Sequence, residues 1–232
     1  MFRTQARYEH QNGGSEIRNW KRLERMSPER ALGALLEDDM MKNHLWNKLW
    51  RSGLFAGIRF QKERRYEDIA ITYRLLARAE KIICLLEPKY HYLRYPGSLM
   101  GDKSLSTEID YFLVVKERFE ALAPAWPQYA DFMEEQAVSA AVKLWNIYFD
   151  NPRSERLANK ERLRCVSRFT KAHGRRALRH MGFGLAGRIL VRLTAYAGGW
   201  SFALARGLDK LYQIKIGLTG KKELGQILQM CI

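Results

Sequence analysis

The stretch KIICLL at residues 81–86 constrains the front of this chain more than any other. Its apolar side chains follow one another without alternation, the pattern of a strand covered on both faces inside a sheet. The residues just before it read as a helix from Glu67 onward, with Ile69, Tyr73 and Leu76 at spacings of four and three. After Glu87 and Pro88, KYHYL reads as a further strand closed by the turn YPGS. Residues 1–26 alternate weakly around QNGG, which predicts two short strands joined as a hairpin. Between these strand signals, SPERALGALLEDD predicts a helix. Ser27 is placed to cap it, Pro28 suits its first turn, and Ala31, Leu32, Leu35 and Leu36 form its apolar stripe. Helix and strand alternate here, so the front belongs to the α/β class.

Behind it the pattern becomes wholly helical. STEIDYFLVVKERFEAL and DFMEEQAVSAAVKLWNIYF read as two helices separated by APAWPQ. The charge also changes along the chain. Residues 1–150 hold 23 Lys and Arg against 21 Asp and Glu, whereas residues 151–232 hold 17 against 4. Nearly all of the formal net charge of +15 thus belongs to the last third, which calls for an anionic partner. Cys84, Cys165 and Cys231 have no paired spacing, so neither a disulfide framework nor a zinc site is expected, and a reducing compartment fits. The five histidines show no ligand spacing. The first residues lack the apolar core of a signal peptide, and no uncharged run is long enough to span a bilayer.

Asp68 follows Glu67 in FQKERRYEDIAITYRLL, between an arginine-rich turn and the helix. A carboxylate in a first helical turn is stabilised by the free backbone N–H groups and the positive end of the dipole. On the residues alone such an acid reads first as a helix-starting residue paired with Arg64 or Arg65, which does not exclude a fixed general base.

Three segments in order, WNKLWRSGLFAGIRF, RRYEDIAITYRLLARAEKI and EPKYHYLRYPGSLM, resemble the C-terminal half of the catalytic domain of family 2 inverting glycosyltransferases of the bacterial polysaccharide-assembling kind. The resemblance runs from about Ser27 to about residue 105. It implies a GT-A, Rossmann-like fold and a nucleotide-diphosphate sugar donor. Asp68 then matches the general base that takes the proton of the acceptor hydroxyl, and Glu67 the acid that orients it or helps bind the acceptor. Trp46, Asn47 and Lys48, with Tyr66, match the acceptor side of the cleft; core packing is the competing role for Trp46. Arg94 and Ser98 fall in the strand and turn that face the donor phosphates in relatives. Leu93 and Tyr95 stand where those relatives carry arginines, a departure from the family pattern.

The family also uses Mg²⁺ or Mn²⁺ on the diphosphate, held by an Asp-x-Asp motif that cannot be read here. Glu37, Asp38 and Asp39 in LEDDMM are the sole acidic cluster resembling it, and their position marks a solvated helix end. The expected organisation is therefore an incomplete GT-A half at 1–105, a helical extension at 106–150 and a basic amphipathic helical tail at 151–232. Without the donor and metal half, this polypeptide alone is expected not to transfer sugar. Its expected partners are a nucleotide-sugar donor and a saccharide or lipid-linked acceptor. The tail is expected to meet an anionic membrane surface on the cytoplasmic side or to pack on the core. A nucleic-acid arm is disfavoured, since no recognition module accompanies the charge. The competing function is a non-catalytic membrane-binding or interaction module that keeps the family scaffold.

Overall fold

A computed structural model describes residues 2–9, 23–38, 41–62, 64–93 and 104–179, together with 188, 191, 192, 195 and 207. Among the described residues the chain is helix-rich with one small sheet, and it divides into two compact units, Met1–Asp102 and Lys103–Ile232.

The front unit contains β1 (Phe2–Glu9), β2 (Leu23–Met26), α1 (Pro28–Leu36), β3 (Lys48–Leu49), α2 (Glu67–Arg78) and β4 (Ile82–Leu93). The strand order is β2-β4-β1-β3. β4 lies between β1, which runs parallel to it, and β2, which runs antiparallel with Leu23 opposite Leu85 and Met26 opposite Ile82. The expected hairpin of the first 26 residues is therefore corrected. β1 and β2 do not pair with each other, because the more apolar β4 is inserted between them and takes both sets of ladder partners. QNGG itself lies outside the described residues.

A second correction concerns Pro88. The segments KIICLL and KYHYL form one strand rather than two, and the irregularity appears in the register instead. Arg3 faces Cys84, Gln5 faces Pro88 and Ala6 faces Tyr90, so β4 carries extra residues relative to β1 on both sides of the proline. Proline has no N–H to give the ladder, and a bulge accommodates it without ending the strand. Within β4, Ile82 and Cys84 are buried while Ile83 and Leu85 are half-buried, the two-residue alternation of a pleated strand.

α1 forms as its sequence dictates. Ser27 Oγ accepts from the Arg30 N–H at 3.2 Å, and Ala31, Leu32, Leu35 and Leu36 are all buried. α2 packs against α1 and is also covered by the segment 45–58. Two coverings widen its buried arc beyond a single stripe: Ile71, Thr72, Tyr73, Leu75 and Leu76 are buried, and the expected core residue Ile69 is half-buried. Ile71 and Leu75 pack with Ile58, Leu45, Trp50, Leu54 and Phe55. Each fully buried aliphatic side chain of this kind contributes about 1.5–3 kcal/mol by removal from water. Hydrogen bonds pin the same covering. Thr72 Oγ1 donates to Asn43 O at 2.6 Å, and Arg78 Nη1 donates to Leu54 O and Ala56 O at 3.2 and 2.6 Å.

The rear unit contains α3 (Leu105–Leu122), α4 (Ala130–Ile147), α5 (Arg153–Ala158) and α6 (Lys160–Ala177). α3 begins at Ser104, whose Oγ accepts from Thr107 N. Asn151 Oδ1 and Glu155 Oε1 accept from the next free N–H groups, those of Leu105 and Ser106. Ile109, Phe112, Met133, Ala137, Leu144, Val166 and Phe169 are buried where α3, α4 and α6 meet, with Phe112 edge-on to Phe169 at 5.5 Å. Charged groups tie the helices together. Arg162 binds Asp110, and buried Glu134 takes His173 Nδ1 at 2.6 Å and Arg176 Nε at 3.2 Å. The Arg176 pKa is raised further by its hydrogen bond to Asp131 and by the charge of Glu134.

Candidate functional site

The site begins with a backbone conformation. Tyr66, the residue before the carboxylate pair, lies in the left-handed region at φ 62° and ψ 36°. For a residue with a large side chain this costs about 1–2 kcal/mol. It occupies the N-cap of α2 without a capping side chain, yet its carbonyl accepts the Ala70 N–H at 3.1 Å, so the helix starts abruptly at Glu67. The sharp entry puts both Glu67 and Asp68 in the first turn, where the helix dipole favours negative charge.

Glu67 is exposed, whereas Asp68 is half-buried, its side chain 29% accessible. Asp68 Oδ1 accepts the Ile69 N–H at 2.7 Å, and Oδ2 lies 3.7 Å from His44 Nδ1. Among the described residues Asp68 thus pairs with His44 rather than with Arg64 or Arg65; Arg64 Nη1 instead donates to Gln61 at 2.7 Å. His44 stacks on Trp46, with centroids 4.9 Å apart and planes 17° from parallel. Asp68 and Trp46, twenty-two positions apart in the chain, are therefore joined through one imidazole.

The loop that carries His44 is held from beneath. Lys48 is buried, and its Nζ donates to Lys42 O at 2.6 Å, to Asn47 Oδ1 at 2.8 Å and to His44 O. Asn47 is buried with it. Both were expected to offer donors to an acceptor sugar; the Lys48 ammonium goes to two loop carbonyls and to Asn47 Oδ1, and Asn47 enters the loop as that acceptor. An ammonium taken out of water requires acceptors at close range, and the loop carbonyls supply them. Thr72 fixes the same loop to α2 through Asn43 O. Asp38 lies at 2.9 Å from Lys42 at the end of α1, and Asp39 lies outside the described residues.

His44 is the residue that sequence reasoning missed. No histidine spacing rule points to it, and the segment singled out from the sequence begins two residues after it, at Trp46. Arg94 and Ser98 lie outside the described residues, as does most of 182–207. Among the described residues no group of three or more His, Cys, Asp or Glu side chains is placed to share a metal ion.

Chemically, the arrangement is a carboxylate and an imidazole in ion-pair range beside an indole. The carboxylate can accept a proton, the imidazole can bind or relay one, and the aromatic pair gives a flat apolar wall. No protein family, curated protein or solved structure matches this chain.

Proposed function

We propose that the front unit is the acceptor side of an inverting glycosyltransferase that uses a nucleotide-diphosphate sugar, with Asp68 as the general base. The observation that carries this reading is the grouping of Asp68, His44 and Trp46 behind the left-handed Tyr66. An acceptor hydroxyl is a weak nucleophile until its proton is taken in the transition state. As its oxygen attacks the anomeric carbon, the proton passes to Asp68 Oδ2. The bond from that carbon to the nucleoside diphosphate breaks on the opposite face, so the configuration inverts. His44 orients the carboxylate, Trp46 lines the acceptor side, and Asn47 and Lys48 maintain the loop that presents them. Tyr66 sets the entry of α2. Glu67, exposed beside Asp68, is available to the acceptor, and Arg94 and Ser98 are assigned to the donor phosphates by resemblance alone. Mg²⁺ or Mn²⁺ would neutralise the leaving diphosphate when bound. The GT-A, Rossmann-like assignment rests on the resemblance, as does a role in cell-surface polysaccharide synthesis at the cytoplasmic membrane face.

A second reading, a non-catalytic interaction module on the family scaffold, is favoured by the inward turn of Asn47 and Lys48. Calorimetry on the purified chain separates the two. Saccharide binding that is lost or weakened in both Asp68→Asn and Trp46→Ala supports the acceptor side of a transferase. Saccharide or lipid binding indifferent to both substitutions supports the module.

A further inference from the structure

Among the described residues three have a left-handed backbone, Asp38 at φ 51°, Gly57 at φ 71° and Tyr66 at φ 62°. Glycine has no Cβ to clash there, and aspartate is one of the few side chains that tolerate the region, so two of the three follow local preference. Tyr66 does not. Helix starts give the same contrast. α1 and α3 begin on Ser27 and Ser104, whose hydroxyls accept from N–H groups of the first turn, whereas α2 begins on Tyr66, which gives it no side-chain cap. An abrupt helix entry therefore explains the backbone at residue 66 and leaves the phenol unexplained. Glycine or asparagine would make the same turn with less strain.

Tyr66 is half-buried and stands two residues before Asp68. An uncommon backbone conformation at a bulky residue persists where the side chain itself is needed, and such residues gather at ligand sites. The Asp68 site supplies the need. His44 and Trp46 form a flat wall there, and an ionised Asp68 can only accept hydrogen bonds. A sugar ring held at such a site gains from a further aromatic face and from a group that both donates and accepts, and a phenol provides the two together. We propose that Tyr66 is a specificity-determining residue of this site, holding a saccharide ring so that its free hydroxyl reaches Asp68. The role rests on Asp68 being the acceptor-side base. It makes the start of α2 a place where folding stability is given up for binding.

The test uses the full chain with cellotetraose, chitotetraose and galactotetraose as probes, calorimetry for binding and denaturant unfolding for stability. Tyr66→Asn keeps a residue that accepts the left-handed backbone and removes the ring. Its unfolding midpoint is expected to equal or exceed that of the wild type, because relief of strain offsets the lost half-burial. Its saccharide affinity is expected to fall about tenfold. Tyr66→Phe keeps both ring and strain, and is expected to lose affinity only severalfold. A midpoint well below wild type in Tyr66→Asn would mean that the ring is kept for packing, and would overturn the proposal. Affinity lost in Asp68→Asn and Trp46→Ala but kept in Tyr66→Asn would overturn it while leaving the acceptor site standing. No binding of any probe would overturn both.

Discussion

Thr72→Val probes the join that builds the candidate site. Thr72 is fully buried in α2, and its hydroxyl donates to Asn43 O at 2.6 Å. Asn43 precedes His44, so this bond fixes the loop that brings the imidazole to Asp68. Valine keeps the shape of the side chain and removes the donor. The lost hydrogen bond and the stranded carbonyl together cost about 2 kcal/mol. If that cost falls on the loop, its opening becomes roughly thirtyfold more frequent. Amide hydrogen exchange of peptides covering 42–50 reads this directly, and the Lys48 N–H, which donates to Leu45 O at 3.3 Å, is a reporter within it. Thr72→Ser is the control, since it keeps the hydroxyl and loses one methyl group, worth about 1 kcal/mol of burial. It should weaken the unit slightly and leave the loop protected. Unchanged exchange in Thr72→Val, or equal acceleration in Thr72→Ser, would refute the anchoring role of this bond.

Other perturbations read different parts of the molecule. Phe112→Ala removes a fully buried ring edge-on to Phe169 and should destabilise the rear unit by roughly 3–5 kcal/mol in denaturant unfolding; a loss below about 1 kcal/mol would mean the helices are not packed as described. Gly57→Ala places a side chain at φ 71° and should cost about 1 kcal/mol although its Cβ would meet open space. Gly53→Ala, also facing open space but without a positive φ, should instead be neutral or add about 0.4–1 kcal/mol; equal effects at the two glycines would contradict the backbone assignment. Lys48→Met removes the loop's internal donor and should destabilise the front unit by about 2–4 kcal/mol, with the His44 and Trp46 resonances broadened; a stable variant with sharp signals would mean the loop holds itself.

The helices were legible because their determinants are local. Ser27 caps α1 through a residue three positions on, and the apolar periods of α3 and α4 lie within single segments. In the sheet, β1 and β2 were legible as two short strands within residues 1–26 and β4 as an apolar run that reflects neighbours on both sides, but their pairing was not. Which strands those neighbours are depends on pairing over long separations, so a plausible QNGG hairpin lost to a central β4. Pro88 misled in the same way: it reads locally as a break, yet the sheet absorbs it as a bulge. Within the site, the Glu67–Asp68 pair and Trp46 could be singled out from the sequence. The roles of Asn47 and Lys48 could not, because burial is decided by how the loop folds under itself. His44 carried no spacing signal at all and is defined by its distance to Asp68 and its stacking on Trp46.

The most direct measurement is NMR of the purified chain during titration with a panel of oligosaccharides, following the His44 imidazole, the Trp46 indole and the Asp68 carboxyl carbon. The expected result is a joint, saturable shift of all three signals with at least one saccharide, with the His44 response lost in Asp68→Asn. Shifts that map elsewhere in the chain, or a His44 response indifferent to residue 68, would contradict a proton-accepting centre at the start of α2.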